Sequence, residues 1–278
     1  MMRFIALLTN RLSWQRAKRL GSFLGLVWFY LVRIRRRVVF ANLAQALPHS
    51  ASRHSHIARR AYAHFGESAL EFLKLHQMDK EEVRSYVHLH GMENYEKAAH
   101  KGRGVIVVTA HFGNFDLLAC SQADMGIPLA IVSRDLHSKG IGRFWMETRQ
   151  SWGLKIFPDK GAARGILRWL RQGNVLGLTV DQRTAARKGG VELNFMGSPA
   201  WTTTVPAKLA LRTGAALLPV RIERRIDGDH DIFVEPELEL EGAETVALTG
   251  QINEIIGNWV RSRPEQWLWL HRRFRREC

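Results

Sequence analysis

Two side chains near the middle of the chain have types and a setting that could move a proton. His111 and Asp116 lie in the segment Thr109–Asp116, immediately behind the apolar run Gly104–Ala110. A carboxylate that holds one imidazole nitrogen leaves the other free to accept a proton, which is the arrangement of a general base. The spacing alone carries nothing, since four of the twelve His residues have an acid five positions on: His76, His88, His111 and His230. On a continuous helix such residues stand about 140° apart and share no face. The pair therefore works only if His111 sits in a turn and Asp116 in the first turns of a helix, and Gly113-Asn114 supplies that punctuation. A strand-end His with an Asp near a helix N-terminus, without chemistry, satisfies the same pattern.

The surrounding sequence lacks the marks of other mechanisms. No Gly-x-Ser-x-Gly elbow is present, so a base at His111 would have to activate a hydroxyl of the substrate rather than a serine. There is no His-Glu-x-x-His, and the two cysteines, Cys120 and Cys278, form no paired framework. Neither a metal, a disulfide scaffold nor a cofactor is expected. His88 and His90 would share one strand face and read as surface.

The elements that must position the pair alternate. Val105–Ala110, Pro128–Ser133 and Val175–Val180 are β-branched or apolar runs suited to strands buried on both faces. Helical patterns fall at 38–47, 61–78, 93–100, 142–152, 162–172, 206–213 and 252–260. Residues 215–222 read as a further strand, turning at Asp227-Gly228 into 231–234. An α/β fold follows, one domain with a mainly parallel central sheet flanked by helices. In such sheets sites form beyond the C-terminal strand ends, where His111 falls.

Charge is distributed unevenly. The chain of 278 residues has a net charge of +15, yet the first acidic residue is Glu67, and 12 of the 41 basic residues precede it. Within this stretch Leu20–Val32 is an almost uncharged apolar run between Lys18-Arg19 and the basic stretch from Arg33 to Arg37. A spanning helix needs about 20 apolar residues, so the run is short for a crossing. With basic flanks and Trp14, Trp28 and Tyr30, it suits a helix in the headgroup region or a tilted anchor; a buried core helix is the other reading. Residues 1–37 are expected to form a membrane-associating segment and 38–278 the catalytic domain. A nucleic-acid-binding protein is the rival that charge alone suggests, but the basic excess is interleaved with an apolar block and no binding motif accompanies it. The expected partner is an anionic membrane surface, not nucleic acid.

Five blocks then carry a resemblance: the His-x4-Asp signature of His111 and Asp116; Ile131–Arg134; Leu178–Arg183; Asn194–Thr204 continuing through Pro206–Val220; and Arg263–Phe274. In this order the chain resembles the bacterial lipid A late (lauroyl/myristoyl) acyltransferases, within the wider glycerolipid acyltransferase superfamily. The resemblance implies that His111 and Asp116 are catalytic and deprotonate an acceptor hydroxyl for attack on an acyl thioester. It places Arg134, Arg149, Asp181 and Gln182 in the substrate-binding set. It further implies acyl carrier protein or coenzyme A as the thioester carrier, a lipid A precursor or related glycolipid as acceptor, and the cytoplasmic face of the bacterial inner membrane as location. Asp116 stands where many of these enzymes carry Glu. Other lipid-linked acceptors, and hydrolysis by the same His and Asp, remain open from sequence.

Overall fold

The computed structural model describes residues 2–133 and 139–274. Three N-terminal helices, α1 (Met2–Asn10), α2 (Trp14–Val27) and α3 (Arg36–Ala46), lead into the long α4 (His54–Leu75) and short α5 (Lys80–Ser85). The body follows as β1 (Val87–His90), α6 (Met92–His100), β2 (Val105–Thr109), α7 (Phe115–Asp124), β3 (Leu129–Ser133), α8 (Lys139–Ser151), β4 (Lys155–Pro158), α9 (Ala163–Arg171) and β5 (Val175–Thr179). Next come the hairpin β6 (Gly190–Phe195) and β7 (Ser198–Thr203), α10 (Val205–Thr213), β8 (Ala216–Arg224), β9 (His230–Val234) and α11 (Thr245–Ser262).

Seven strands form one sheet in the order β1-β9-β8-β2-β5-β3-β4. Every neighbouring pair is parallel except β8 and β9, joined by the expected turn. The short strands β1 and β4 and the β6–β7 hairpin carry no long apolar run, which is why the periodicity passes over them. The parallel centre is apolar on both faces because helices cover both. Ile106, Leu176, Ala130 and Leu217 pack on one face with Leu170, Ala210, Ile252 and Ile256. Val105, Leu129, Val175 and Leu218 face the other way, toward Leu117, Leu118 and Phe144.

The segment Arg263–Phe274 follows α11. After a 3-10 turn at Pro264–Gln266 it crosses the mouth of the sheet as an irregular strap, with one isolated antiparallel bridge between Phe112 and Trp267. A tight loop satisfies its backbone groups through side chains instead: the Asn42 amide donates to the carbonyls of Trp269 (2.8 Å) and His271 (2.6 Å).

The N-terminal helices are packed onto the body. Trp14, Ala17, Gly21, Gly25 and Phe29 form a buried stripe at three- and four-residue spacing. Gly25 and Gly66 allow the backbones of α2 and α4 to touch, since a Cβ on either would overlap a carbonyl oxygen of the facing helix. Trp14 stacks on Tyr86 with ring centroids 4.8 Å apart. The opposite side of the same segment leaves Phe4, Leu7, Phe23, Leu24 and Leu31 exposed. Among the described residues no helix is long and apolar enough to cross a membrane.

Candidate active site

The site is assembled by strand register. Thr109 of β2 faces Thr179 of β5, and the ladder continues one step as the Val180 amide donates to the Thr109 carbonyl at 3.0 Å. His111 and Asp181 each lie two residues past that pair, so parallel pairing alone sets them side by side. His111 Nδ1 lies 2.8 Å from Asp181 Oδ1. The Trp267 indole N–H donates to the other carboxylate oxygen at 2.8 Å. On the far side of the ring, the Gln182 amide nitrogen lies 3.3 Å from His111 Nε2.

These partners select a tautomer. Asp181 accepts, so Nδ1 carries the hydrogen of the neutral ring and Nε2 keeps its lone pair, toward which the Gln182 amide donates. Burial alone would push the His111 pKa down, but the Asp181 charge and hydrogen bond, with Asp116 nearby, raise it above the ordinary value of 6.5. Burial opposes the ionised form of Asp181 as well, and His111 together with the indole donor overrides it, holding the carboxyl at about 2. The result is an oriented imidazole of increased basicity whose Nε2 lone pair is covered by the Gln182 amide.

Asp116 has a different partner from the one its spacing suggests. It occupies the first turn of α7 behind Gly113 and Asn114, as the punctuation requires. Gly113 has φ +58°, and a Cβ there would overlap the Ile222 carbonyl oxygen, so the turn admits only glycine. Asn114 caps the helix by accepting from the Leu117 amide at 3.1 Å. Yet the Asp116 carboxylate accepts from Arg149 Nε (2.9 Å) and Nη2 (2.7 Å) at one oxygen and from the Trp145 indole (3.1 Å) at the other. The hydrogen bond expected from the ring to Asp116 is thus donated to Asp181 instead. A forked guanidinium satisfies a buried carboxylate better than a single imidazole N–H can. Asp116 acts on His111 only through its charge.

Arg149 also donates from Nη1 to Ser133 Oγ at the end of β3 (3.2 Å). His111, Asp116, Arg149, Asp181 and Gln182 therefore gather at the C-terminal edge of β2, β3 and β5; Arg134 lies outside the described residues. Trp145 and Trp267 complete the set. Trp267 lies in the last resemblance block, Arg263–Phe274, and no periodicity distinguishes an indole that packs from one that also donates. Among the described residues no three His, Cys, Asp or Glu side chains converge as metal ligands.

A cavity of about 670 Å³ opens from His111 between the sheet and helices α7 and α8. Its floor is the register row Leu218–Val107–Gly177–Ile131, and Leu118 and Ala119 of α7 lie above it. The volume is that of a small-molecule site; His111, Asp116, Arg149 and Gln182 form one polar part of a mostly apolar lining, and Tyr95 and Gln122 are polar elsewhere in it. The arrangement can remove a proton from a hydroxyl at Nε2 while a hydrocarbon tail stays in the cavity.

Comparison with known proteins places the sequence among acyltransferases. The sequence is 26% identical over 261 residues to the lipid A biosynthesis palmitoleoyltransferase of Escherichia coli K12, covering 92% of this chain and 84% of that protein. It is 27% identical over 266 residues to the lipid A biosynthesis lauroyltransferase of the same organism, with the same coverage. The phosphatidylinositol mannoside acyltransferase of Mycolicibacterium smegmatis is 26% identical over 214 residues, 76% of this chain and 70% of that protein. Residues 2–276 match the family described as bacterial lipid A biosynthesis acyltransferase. Because that match takes in the N-terminal helices, the sheet and the strap together, the chain belongs to the bacterial lipid A biosynthesis acyltransferase family and is an O-acyltransferase.

Proposed function

We propose that this enzyme moves a fatty acyl group from a thioester, on acyl carrier protein or coenzyme A, to a hydroxyl of a lipid A precursor or related glycolipid at a membrane surface. The observation that carries the proposal is an Asp181-held His111, its Nε2 lone pair met by the Gln182 amide, in the wall of a largely apolar cavity. The acyl chain lies in the cavity with its thioester carbonyl beside His111. The acceptor hydroxyl displaces the Gln182 amide from Nε2, gives its proton to His111 and attacks the carbonyl carbon. The tetrahedral intermediate carries its negative charge near Arg149, whose position is fixed by Asp116. Collapse breaks the carbon–sulfur bond, and the imidazolium returns its proton to the departing thiolate. Each buried methylene of the chain contributes about 0.8 kcal/mol to binding.

The N-terminal face supports peripheral membrane association. Phe4, Leu7, Phe23, Leu24 and Leu31 are exposed on a segment, residues 1–37, whose sequence has nine basic and no acidic residues. Such a face suits an anionic leaflet, with the apolar side chains at the acyl boundary.

The test is transfer by purified protein. Acyl carrier protein and coenzyme A thioesters are each offered with a lipid A precursor and with a phosphatidylinositol mannoside, and products are read by mass spectrometry. Acylated glycolipid in wild type and none in His111→Ala is expected. Free fatty acid released irrespective of acceptor would replace transfer with hydrolysis.

A further inference from the structure

We propose that Trp267 is a positioning residue, whose indole N–H locks the Asp181 carboxylate in the plane that orients His111. The inference rests on the reading of His111 as the base and adds to it the strap that makes the base rigid. A carboxylate turns broadly about its last torsion, so one hydrogen bond to His111 leaves its orientation loosely defined. The indole is a donor only, and at 2.8 Å it satisfies the oxygen that His111 does not use. Trp267 is 3% exposed and packs edge-on to Trp269, with centroids 4.6 Å apart, and against Phe195.

The same segment holds the other partner by its backbone. The Leu268 amide donates to the His111 carbonyl at 3.0 Å, and the Gly113 amide donates to the Gln266 carbonyl at 2.9 Å. The strap is itself fixed to β8, because the Gln266 side chain accepts from the Arg224 amide (2.7 Å) and donates to the Arg224 carbonyl (2.9 Å). Residues 266–268 thus fix His111 through the main chain and Asp181 through the indole. Their mutual geometry is set by one rigid piece that contributes no reacting atom. Misplacing a proton acceptor costs rate rather than affinity.

Trp267→Phe keeps the packing and deletes the donor. Expected are a ten- to hundredfold fall in kcat with KM for both substrates within twofold, and an acid limb of the kcat–pH profile moved to lower pH as the Asp181 carboxylate turns out of its hydrogen bond with His111. The matched variant is Trp269→Phe, whose indole donates to the Pro264 carbonyl at 2.6 Å in the same cluster. It should lower Tm comparably and leave the acid limb in place. Trp267→Phe added to Asp181→Asn should cost little more than Asp181→Asn alone, because the indole acts only through that carboxylate. Replacing the Trp267 indole with its benzothiophene isostere, which has the ring shape without the N–H, repeats the test with folding preserved. A wild-type acid limb and kcat in the isostere, or additivity with Asp181→Asn, would overturn the proposal. Full activity in His111→Ala would instead overturn the reading beneath it.

Discussion

At the residue scale, the two acids near His111 divide the work that the sequence pattern gives to one. Asp181 orients the ring and raises its pKa, so Asp181→Asn should cost roughly 10²- to 10⁴-fold in kcat, the range of general-base assistance. The sign follows from the imidazolium: removing the negative charge disfavours the protonated ring, and the acid limb of the rate profile moves to lower pH. A profile that stays in place while activity falls would exclude Asp181 from the base. Asp116→Asn should behave differently, because Arg149 is left buried with a neutral partner. Loss of stability on the order of 3 kcal/mol is expected, visible as a lower Tm alongside reduced turnover. His88→Ala is the neutral control, since His88 is half exposed and pairs with Asp229 at the sheet edge, away from His111.

At the element scale, helices and buried strands were legible because their periods follow from burial. The run after Gly104 is β2, and the Gly113-Asn114 punctuation is the turn into α7. The apolar run Leu20–Val32 is divided by its surroundings: one side packs on α4, and the other stays exposed. A short apolar run with basic flanks can lie on a membrane or pack on a body, and composition alone cannot separate a helix that does both. Gly25→Val tests the packed side. Forcing a side chain between α2 and α4 should destabilise the protein by about 1–3 kcal/mol in thermal melts, whereas Gly250→Ala, in open space on α11, should not. Deletion of residues 1–37 would remove Trp14 and Phe29 from the core, so point substitutions are the cleaner probe of the exposed side.

At the scale of the whole molecule, in the proposed function the cavity takes the acyl chain and the N-terminal face meets the membrane surface. Gly177 lies in the cavity floor, where a Cβ meets only ordinary contacts with Ile131 and Leu129. Gly177→Leu should therefore fold, fill part of the cavity and shift preference toward shorter acyl donors in a chain-length series. Changing Arg19, Arg35 and Arg37, all exposed, to Glu should weaken sedimentation with anionic vesicles more than with neutral ones, by about 1 kcal/mol per charge. Arg36 is excluded from this set because it stacks over Phe29 at 4.4 Å. Equal loss on both vesicle types would assign the binding to the apolar face alone.

Sequence by itself determined the parallel α/β architecture, the strand end bearing His111, the helix start bearing Asp116 and the concentration of charge before Glu67. These are local properties: a buried strand needs β-branched residues, a turn against a carbonyl needs glycine, and a helix start needs a cap. Only the tertiary structure decided which acid holds the imidazole. Asp181 lies 70 positions beyond His111, and the two meet because β2 and β5 pair in parallel with Thr109 opposite Thr179. Trp267 arrives from a strap 156 positions away for the same kind of reason, through the backbone bonds that seat it on Phe112 and His111. A spacing of five residues is visible in a string, but a hydrogen bond between strand ends exists only once the sheet has fixed their register.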